Sequence, residues 1–191
     1  MLIDDYAPKP DFVETHARRI EAPAARVFEA LRRTDFGRSP VIKGLLLIRS
    51  LPKLFVSSAP AAKLPRRFDL DAVIAAGFGK LAENSGEEIV LGVTGRFWRP
   101  TGNIEPFAER DFEGPIPPGL ARAVWNFSIL EADSKSVWLE TQTRITCPDS
   151  SVRRKFGAYW LFVRPFSGWI RRVMLREIDA AVRLSRGSAD A

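Results

Sequence analysis

The chain has 191 residues, 46% hydrophobic and 27% charged, the balance of a globular protein and a length that fits one compact domain. Its single cysteine, Cys147, excludes an internal disulfide, and with His16 as the one histidine there is no Cys/His set spaced for zinc; no metal is expected, and no cofactor is assigned. The net charge of +6 is concentrated: from Arg153 to Arg186 nine Lys/Arg stand against two acids, giving +7, and the rest of the chain sums to −1.

The N-terminus, MLIDDYAPKPDF, has two early aspartates and no apolar run, so it does not read as a secretory signal and a reducing, cytoplasmic setting is expected. Residues 13–20, VETHARRI, lie between Pro10 and Pro23 and read as a short strand. In APAARVFEALRR, Val27, Phe28 and Leu31 recur at helical spacing with Pro23 near the first turn, where proline is tolerated. SPVIKGLLLIRSL (39–51) predicts a second, greasy helix, and the Pro/Ala/Ser-rich stretch from Pro52 to Pro65 an irregular connection. A helical turn follows at 69–76, capped by Asp69 or Asp71.

The period then changes to two. GFGKLAE (77–83) and EEIVLGVTGRFW (87–98) are joined by Asn84-Ser85-Gly86, a hairpin turn composition, and NIEPF adds a brief strand before the GPIPPG loop. LARAVWNFSILEA (120–132) and SVWLETQTRITC (136–147) form a second hairpin. On its first strand Ala121, Ala123, Trp125, Phe127 and Ile129 share one face, while Arg122, Asn126 and Ser128 share the other, which predicts one covered side and one wet side.

Pro148 ends the last strand, and Asp149 or Ser150 can cap a helix. Val152, Phe156, Tyr159, Trp160 and Val163 make one apolar stripe. Ile170, Val173, Met174, Ile178, Ala181, Val182 and Ser185 make a second, ending at Gly187. A straight helix over 150–186 would reach roughly 55 Å, against a radius of gyration of about 16 Å for a domain of this length. A kink or interruption is therefore predicted at Arg164-Pro165-Phe166-Ser167-Gly168. Arginines 164, 171 and 172 interrupt every window long enough to span a bilayer, so no transmembrane segment is expected. The aromatics fall on the apolar stripe rather than on an outward basic face, which argues against nucleic acid as a partner.

This order of strand, two helices, antiparallel strands and long C-terminal helix resembles the START-like helix-grip superfamily, also called SRPBCC or polyketide cyclase-like. The resemblance is carried by IEAPAARVFEAL, LGVTGRFWRP, WNFSILEADSKSVWLETQTRI and YWLFVRPFSGWIRR, and covers nearly the whole chain; it is to a bacterial group of unassigned function. It implies an α+β helix-grip fold, a curved antiparallel sheet wrapped around the Pro165-interrupted last helix with a cavity between them. The expected domain is 1–191, with short flexible tails at 1–10 and 187–191. Members of the wider superfamily bind lipids, sterols or hormones, or act as cyclases, aromatases or oxygenase subunits, and the fold does not choose among these.

In such a fold Phe78, Phe97, Trp125, Phe127, Tyr159, Trp160 and Met174 are candidates for the apolar lining of the cavity, or are plain core. Among polar candidates, Glu140 and Arg144 share one strand face with Trp138 and Gln142, and Arg96 pairs similarly with Trp98. Pointing inward, Glu140 with Arg144 or Arg96 would form a buried ion pair or an anchor for a ligand carboxylate; pointing outward, they form a surface network of little energy. Val137, Leu139 and Ile145 occupy the opposite face and make the better inward set. His16 shares its face with Arg18 and has no acid at triad spacing; like Cys147, it reads as structural.

The leading expectation is thus a protein that encloses a hydrophobic or amphipathic small molecule, lipid-like or polycyclic, without a catalytic centre. The alternative is a cyclase-, aromatase- or hydrolase-like enzyme using Glu140, Arg144 or Tyr159. A third reading is peripheral contact with anionic lipid through Arg171, Arg172 and Arg183 on the last helix.

Overall fold

The computed structural model describes residues 1–39, 67–75, 77–99, 103–107, 112–133 and 135–187. The helix predicted at 39–51 and the connection to residue 65 lie outside these, apart from Ser39. The described elements are α1 (Ile3–Tyr6), β1 (Phe12–Ile20), α2 (Ala24–Arg33), a 3-10 turn (Phe36–Arg38), α3 (Leu70–Ala75), β2 (Gly79–Asn84), β3 (Glu88–Arg96), β4 (Asn103–Glu105), β5 (Ala121–Asp133), β6 (Ser136–Thr146) and α4 (Ser150–Gly187).

The strands form one antiparallel sheet in the order β1-β6-β5-β3-β2, with β4 paired to the end of β3. Burial along β6 alternates, so Val137, Leu139, Thr141, Thr143 and Ile145 face one way and Trp138, Glu140, Gln142 and Arg144 the other. Of the first set, Val137 and Leu139 pack with Trp125, Phe127 and Ile129 of β5 and Val173, Met174 and Ile178 of α4, and Ile145 with Val152 and Phe156 of α4, which fixes that side as the one the long helix covers. The register of the whole sheet follows, because a one-residue slip would turn this set away from the helix. Helix α2 contributes Val27, Phe28 and Leu31 to the same cluster, and each fully buried side chain of this size stabilises by about 1.5–3 kcal/mol.

The far side of the sheet is not wet as expected. Glu88, Arg122, Asn126 and Ser128 are all buried there, because α1 and the segment at 112–120 lie over them. Ile3 and Ala7 pack with Val90, Phe112 and Val124 in a small cluster of their own. The Glu88 carboxylate caps α1, accepting from Leu2 N at 2.7 Å and Ile3 N at 3.2 Å, and it also accepts from Asn126 Nδ2 at 2.6 Å. Residues 2–7 are therefore packed on the sheet. A single helical turn is too short for periodicity to reveal, and its stabilising partners come from distant strands.

The interruption expected in helix α4 is absent. The helix runs unbroken through Pro165 for 38 residues. Proline removes one amide donor, but Pro165 lies on the exposed side of the helix, where the freed carbonyl is open to solvent, and buried anchors hold the helix on either side of it. Asp149 starts the helix by accepting from Val152 N at 2.9 Å.

Candidate functional site

Three residues of β1, Glu14, His16 and Arg18, alternate onto the face that α4 covers, in register with Thr143, Thr141 and Leu139 of β6. Glu14 Oε1 lies 3.1 Å from His16 Nε2. Gly168 of α4 packs directly on both, with no side chain to hold the helix away. One turn on, Arg171 reaches back toward the sheet: its guanidinium stacks over the Trp125 ring at 4.6 Å, and its Nη1 lies 3.4 Å from Thr141 Oγ1, a weak contact. Trp125 Nε1 donates to that hydroxyl at 2.7 Å, and the hydroxyl donates to the Asn126 carbonyl at 2.7 Å.

This cluster is buried yet incompletely satisfied. Glu14 is 7% exposed and Thr143 6%. Glu14 Oε2, Thr143 Oγ1 and Arg171 Nε are buried without hydrogen-bond partners. Burial pushes the Arg171 pKa down to about 10, with the negative charge of Glu14 working against the shift. The guanidinium therefore stays protonated at neutral pH, and the site presents a cation, an acceptor carboxylate and an imidazole within one small region.

The cluster sits between two apolar groups on the same side of the sheet. One contains Trp125, Phe127 and Met174; the other contains Val93, Ile145, Val152 and Phe156. On α4 the sheet-facing positions Phe156 and Met174 are closed off, at 1% and 2% exposure. Between them Trp160, Val163, Ser167, Ile170 and Arg171 each keep partial access to solvent. The helix thus packs tightly at Phe156, Gly168 and Met174, and leaves these neighbouring side chains partly open beside the polar cluster.

Arg18 makes a separate, fully paired lock. Its Nε and Nη2 donate to Asp179 Oδ2 at 2.8 and 2.6 Å, and Arg183 Nε donates to Asp179 Oδ1 at 3.0 Å. Burial works against ionisation of Asp179, but the hydrogen bonds from Arg183 and Arg18 outweigh it and hold the carboxyl below its ordinary range.

Of the residues singled out from sequence, Trp125, Phe127 and Met174 lie in the core beside the polar cluster, and Phe78 packs edge-on to Trp125 at 6.1 Å. Phe97, Trp98, Tyr159 and Trp160 pack against the cluster that contains Phe156, with Tyr159 and Trp160 each 5.7 Å from the Phe156 ring. Glu140, Arg144 and Arg96 are not with them. Glu140 accepts from Gln142 Nε2 at 2.9 Å on the far face of the sheet. Arg144, on that face too, donates to Asp4 Oδ1 at 2.7 Å and the Ala7 carbonyl at 3.0 Å, and so holds α1 down. Arg96 Nε donates to the Gly119 carbonyl at 3.3 Å. The reason is the parity of β6: Val137, Leu139 and Ile145 claim the helix side, and Glu140 and Arg144 must take the other.

Two clefts formed by described residues lie away from the polar cluster. One of about 570 Å³ is on the far side of the sheet, among Thr94, Phe107, Phe112, Leu120 and Arg122, and one of about 180 Å³ lies beside Ala22, Glu131 and Val137. Among the described residues no group of His, Cys, Asp and Glu is arranged to hold a metal ion.

An open antiparallel sheet, short helices after its first strand, and one long C-terminal helix packed on a single face complete the pattern. The fold is a helix grip. No family model matches the chain, and no curated protein matches it. Solved structures similar to it include a conserved protein from Geobacillus kaustophilus, at 12% identity over 91% of this chain and 97% of that one, with a TM-score of 0.41. A norcoclaurine synthase from Thalictrum flavum is similar at 12% identity over 92% and 96%, with a TM-score of 0.35. An aromatase/cyclase from Streptomyces sp. R1128 is similar at 12% identity over 90% and 93%, with a TM-score of 0.31. At such distances the helix-grip assignment rests on the element order and sheet of this chain, and its function on the residues of its own site.

Proposed function

We propose that the protein binds a hydrophobic or amphipathic small molecule between the sheet and α4, with the polar end of that molecule at Glu14, His16 and Arg171. The observation that carries this reading is the set of three buried atoms without partners, Glu14 Oε2, Thr143 Oγ1 and Arg171 Nε. Leaving a buried polar group unpaired costs about 1–3 kcal/mol, so three together favour a ligand that satisfies them. Their demands are complementary: the carboxylate accepts and the guanidinium donates, which suits a hydroxyl that can do both. The partial exposure of Trp160, Val163, Ser167 and Ile170 beside the cluster supports entry there, and the apolar groups on either side suit a hydrocarbon or ring body.

Native mass spectrometry and solvent extraction of the purified protein, followed by titration with an apolar hydroxylated fluorophore, test the proposal. Saturable binding that weakens about tenfold or more in E14Q and in R171M is expected. Protein that carries no extractable compound and shows no saturable uptake would remove the reading.

A catalytic variant of the same site is favoured by the Glu14–His16 contact at 3.1 Å, since an imidazole beside a carboxylate can take a proton from a bound molecule, as a cyclase- or hydrolase-like reaction requires. A ligand altered by the wild-type protein and left intact by H16A would establish it. One recovered unchanged from both would restrict the site to binding.

A further inference from the structure

The outward side of α4 has an apolar middle and basic ends. Leu161, Phe162, Phe166 and Trp169 are 76%, 74%, 52% and 47% exposed. With Ala158 and Pro165 they cover about 140° of the helix circumference, at roughly 100° per residue. Neither apolar stripe that packs on the sheet includes them. On the same outward side, exposed Arg154 and Lys155 precede this patch and exposed Arg172 and Arg176 follow it, with exposed Arg164 at its margin. No acid occurs between Ser150 and Arg176. The cations of α4 paired with an acid among the described residues are Arg153, with Asp11, and Arg183, with Asp179. The five that bracket the patch are unpaired there.

A contiguous apolar patch of large side chains marks a surface that meets something other than water. Charge decides what. A second copy docking through the same patch would bring two rows of arginine together, because a twofold interface sets a surface against itself. A bilayer of anionic lipid offers the complement, with phosphates for the cations and a headgroup boundary where Trp and Phe are favoured. No helix among the described residues is long and apolar enough to cross a membrane, so the contact is interfacial.

We propose that α4 lies along an anionic membrane surface, with Phe162, Phe166 and Trp169 inserted at the headgroup level and Arg154, Lys155, Arg164, Arg172 and Arg176 on lipid phosphates. The inference does not depend on the ligand site. The two nevertheless share a helix: Gly168 and Arg171 face the polar cluster while Trp169 and Arg172 face outward, so a ligand drawn from the bilayer would have a short path inward.

Co-sedimentation of the full-length protein with vesicles of phosphatidylcholine, with and without phosphatidylglycerol, tests this at low and high salt. Binding is expected to the anionic vesicles and to fall with salt. Each arginine near such a surface strengthens binding about fivefold, so R172A/R176A should weaken it about 25-fold. F162S/F166S should abolish it, and lipids brominated near the headgroup should quench wild-type fluorescence more than that of W169F. All these positions are exposed, and circular dichroism of the variants confirms folding. Equal binding to neutral and anionic vesicles, or none to either, would overturn the proposal. So would a concentration-dependent dimer that F162S/F166S dissolves in a protein that ignores vesicles.

Discussion

Gly168 of the long helix is packed so closely on Glu14 that a β-carbon at residue 168 would lie 2.6 Å from Glu14 Oε1 and 2.9 Å from His16 Nε2. The position is helical, so alanine would gain up to about 1 kcal/mol of propensity, while overpacking costs typically about 1–3 kcal/mol. The expected net result for G168A is a loss of about 1 kcal/mol together with weaker ligand binding, as Glu14 is forced aside. G157A is the internal control, since its nearest neighbour, the Phe12 ring, stays 3.4 Å away. It should leave urea stability unchanged or slightly raised. Equal loss in both variants would show that the close approach at Gly168 is unimportant.

Arg171 and Cys147 pull alkaline stability in opposite directions. The Arg171 pKa is pushed down to about 10 from its ordinary, higher value, so above pH 10 the folded protein loses this proton before the unfolded chain does and stability rises. The Cys147 thiol is pushed up to about 12 from 9.0, chiefly by burial, so from pH 9 to 12 the unfolded chain ionises first and stability falls. Chemical denaturation across pH 8.5–11.5 should show a steeper fall in R171M than in wild type and a shallower one in C147A. At pH 7, R171M should stay within about 1 kcal/mol of wild type, because relief of guanidinium burial offsets the lost attraction to Glu14.

The Arg18–Asp179–Arg183 lock should be visible in acid. Asp179 has a depressed pKa, so its contribution is complete above the ordinary carboxylate range and is lost as pH falls through the lower, folded value. D179N should lose about 2 kcal/mol at pH 7, less than the full penalty for breaking a buried pair because Arg18 and Arg183 are partly exposed. It should also lose less stability than wild type between pH 5 and pH 3. A D179N curve parallel to wild type over that interval would rule out the assignment.

The N-terminal turn should matter to stability out of proportion to its length. I3A removes a side chain with no exposure and should cost about 2–4 kcal/mol. Deletion of residues 1–7 uncovers Val90 and Val124 and leaves Glu88 without its two backbone donors. Thermal melts and limited proteolysis measure both effects; a truncated chain as stable as the intact one would contradict the packing.

The legible part of this fold is the part governed by local periodicity. The hairpin strands, the faces of β5 and β6, and the capped starts of α3 and α4 all follow from spacing and turn chemistry. Period two also puts Glu14 beside His16, a pairing that a search for triad spacing overlooks. Arg171 could not be placed this way, because its neighbours Thr141 and Trp125 come from other strands and meet it only once α4 docks. Pro165 misleads for a related reason: the local rule counts the lost hydrogen bond, and the two buried anchoring regions outweigh it. Arg144 and Glu140 are ambiguous until the parity of β6 is fixed by its apolar residues, and α1 is invisible because its stability is borrowed from Glu88 and Arg144.

The position of β1 in the sheet bears on how the protein is made. Its ladder partner is β6, so Ile20 waits for Val137, about 120 residues later, and Phe12 for Ile145. At a synthesis rate of about 5–20 residues per second, that interval is roughly 6–24 s. During it, a strand carrying Phe12, Val13 and Ile20 has left the ribosome without its neighbour, and the helix that covers it has not been translated. The sheet therefore cannot close until β6 has been made, and a nascent chain stalled before it leaves β1 without its ladder partner.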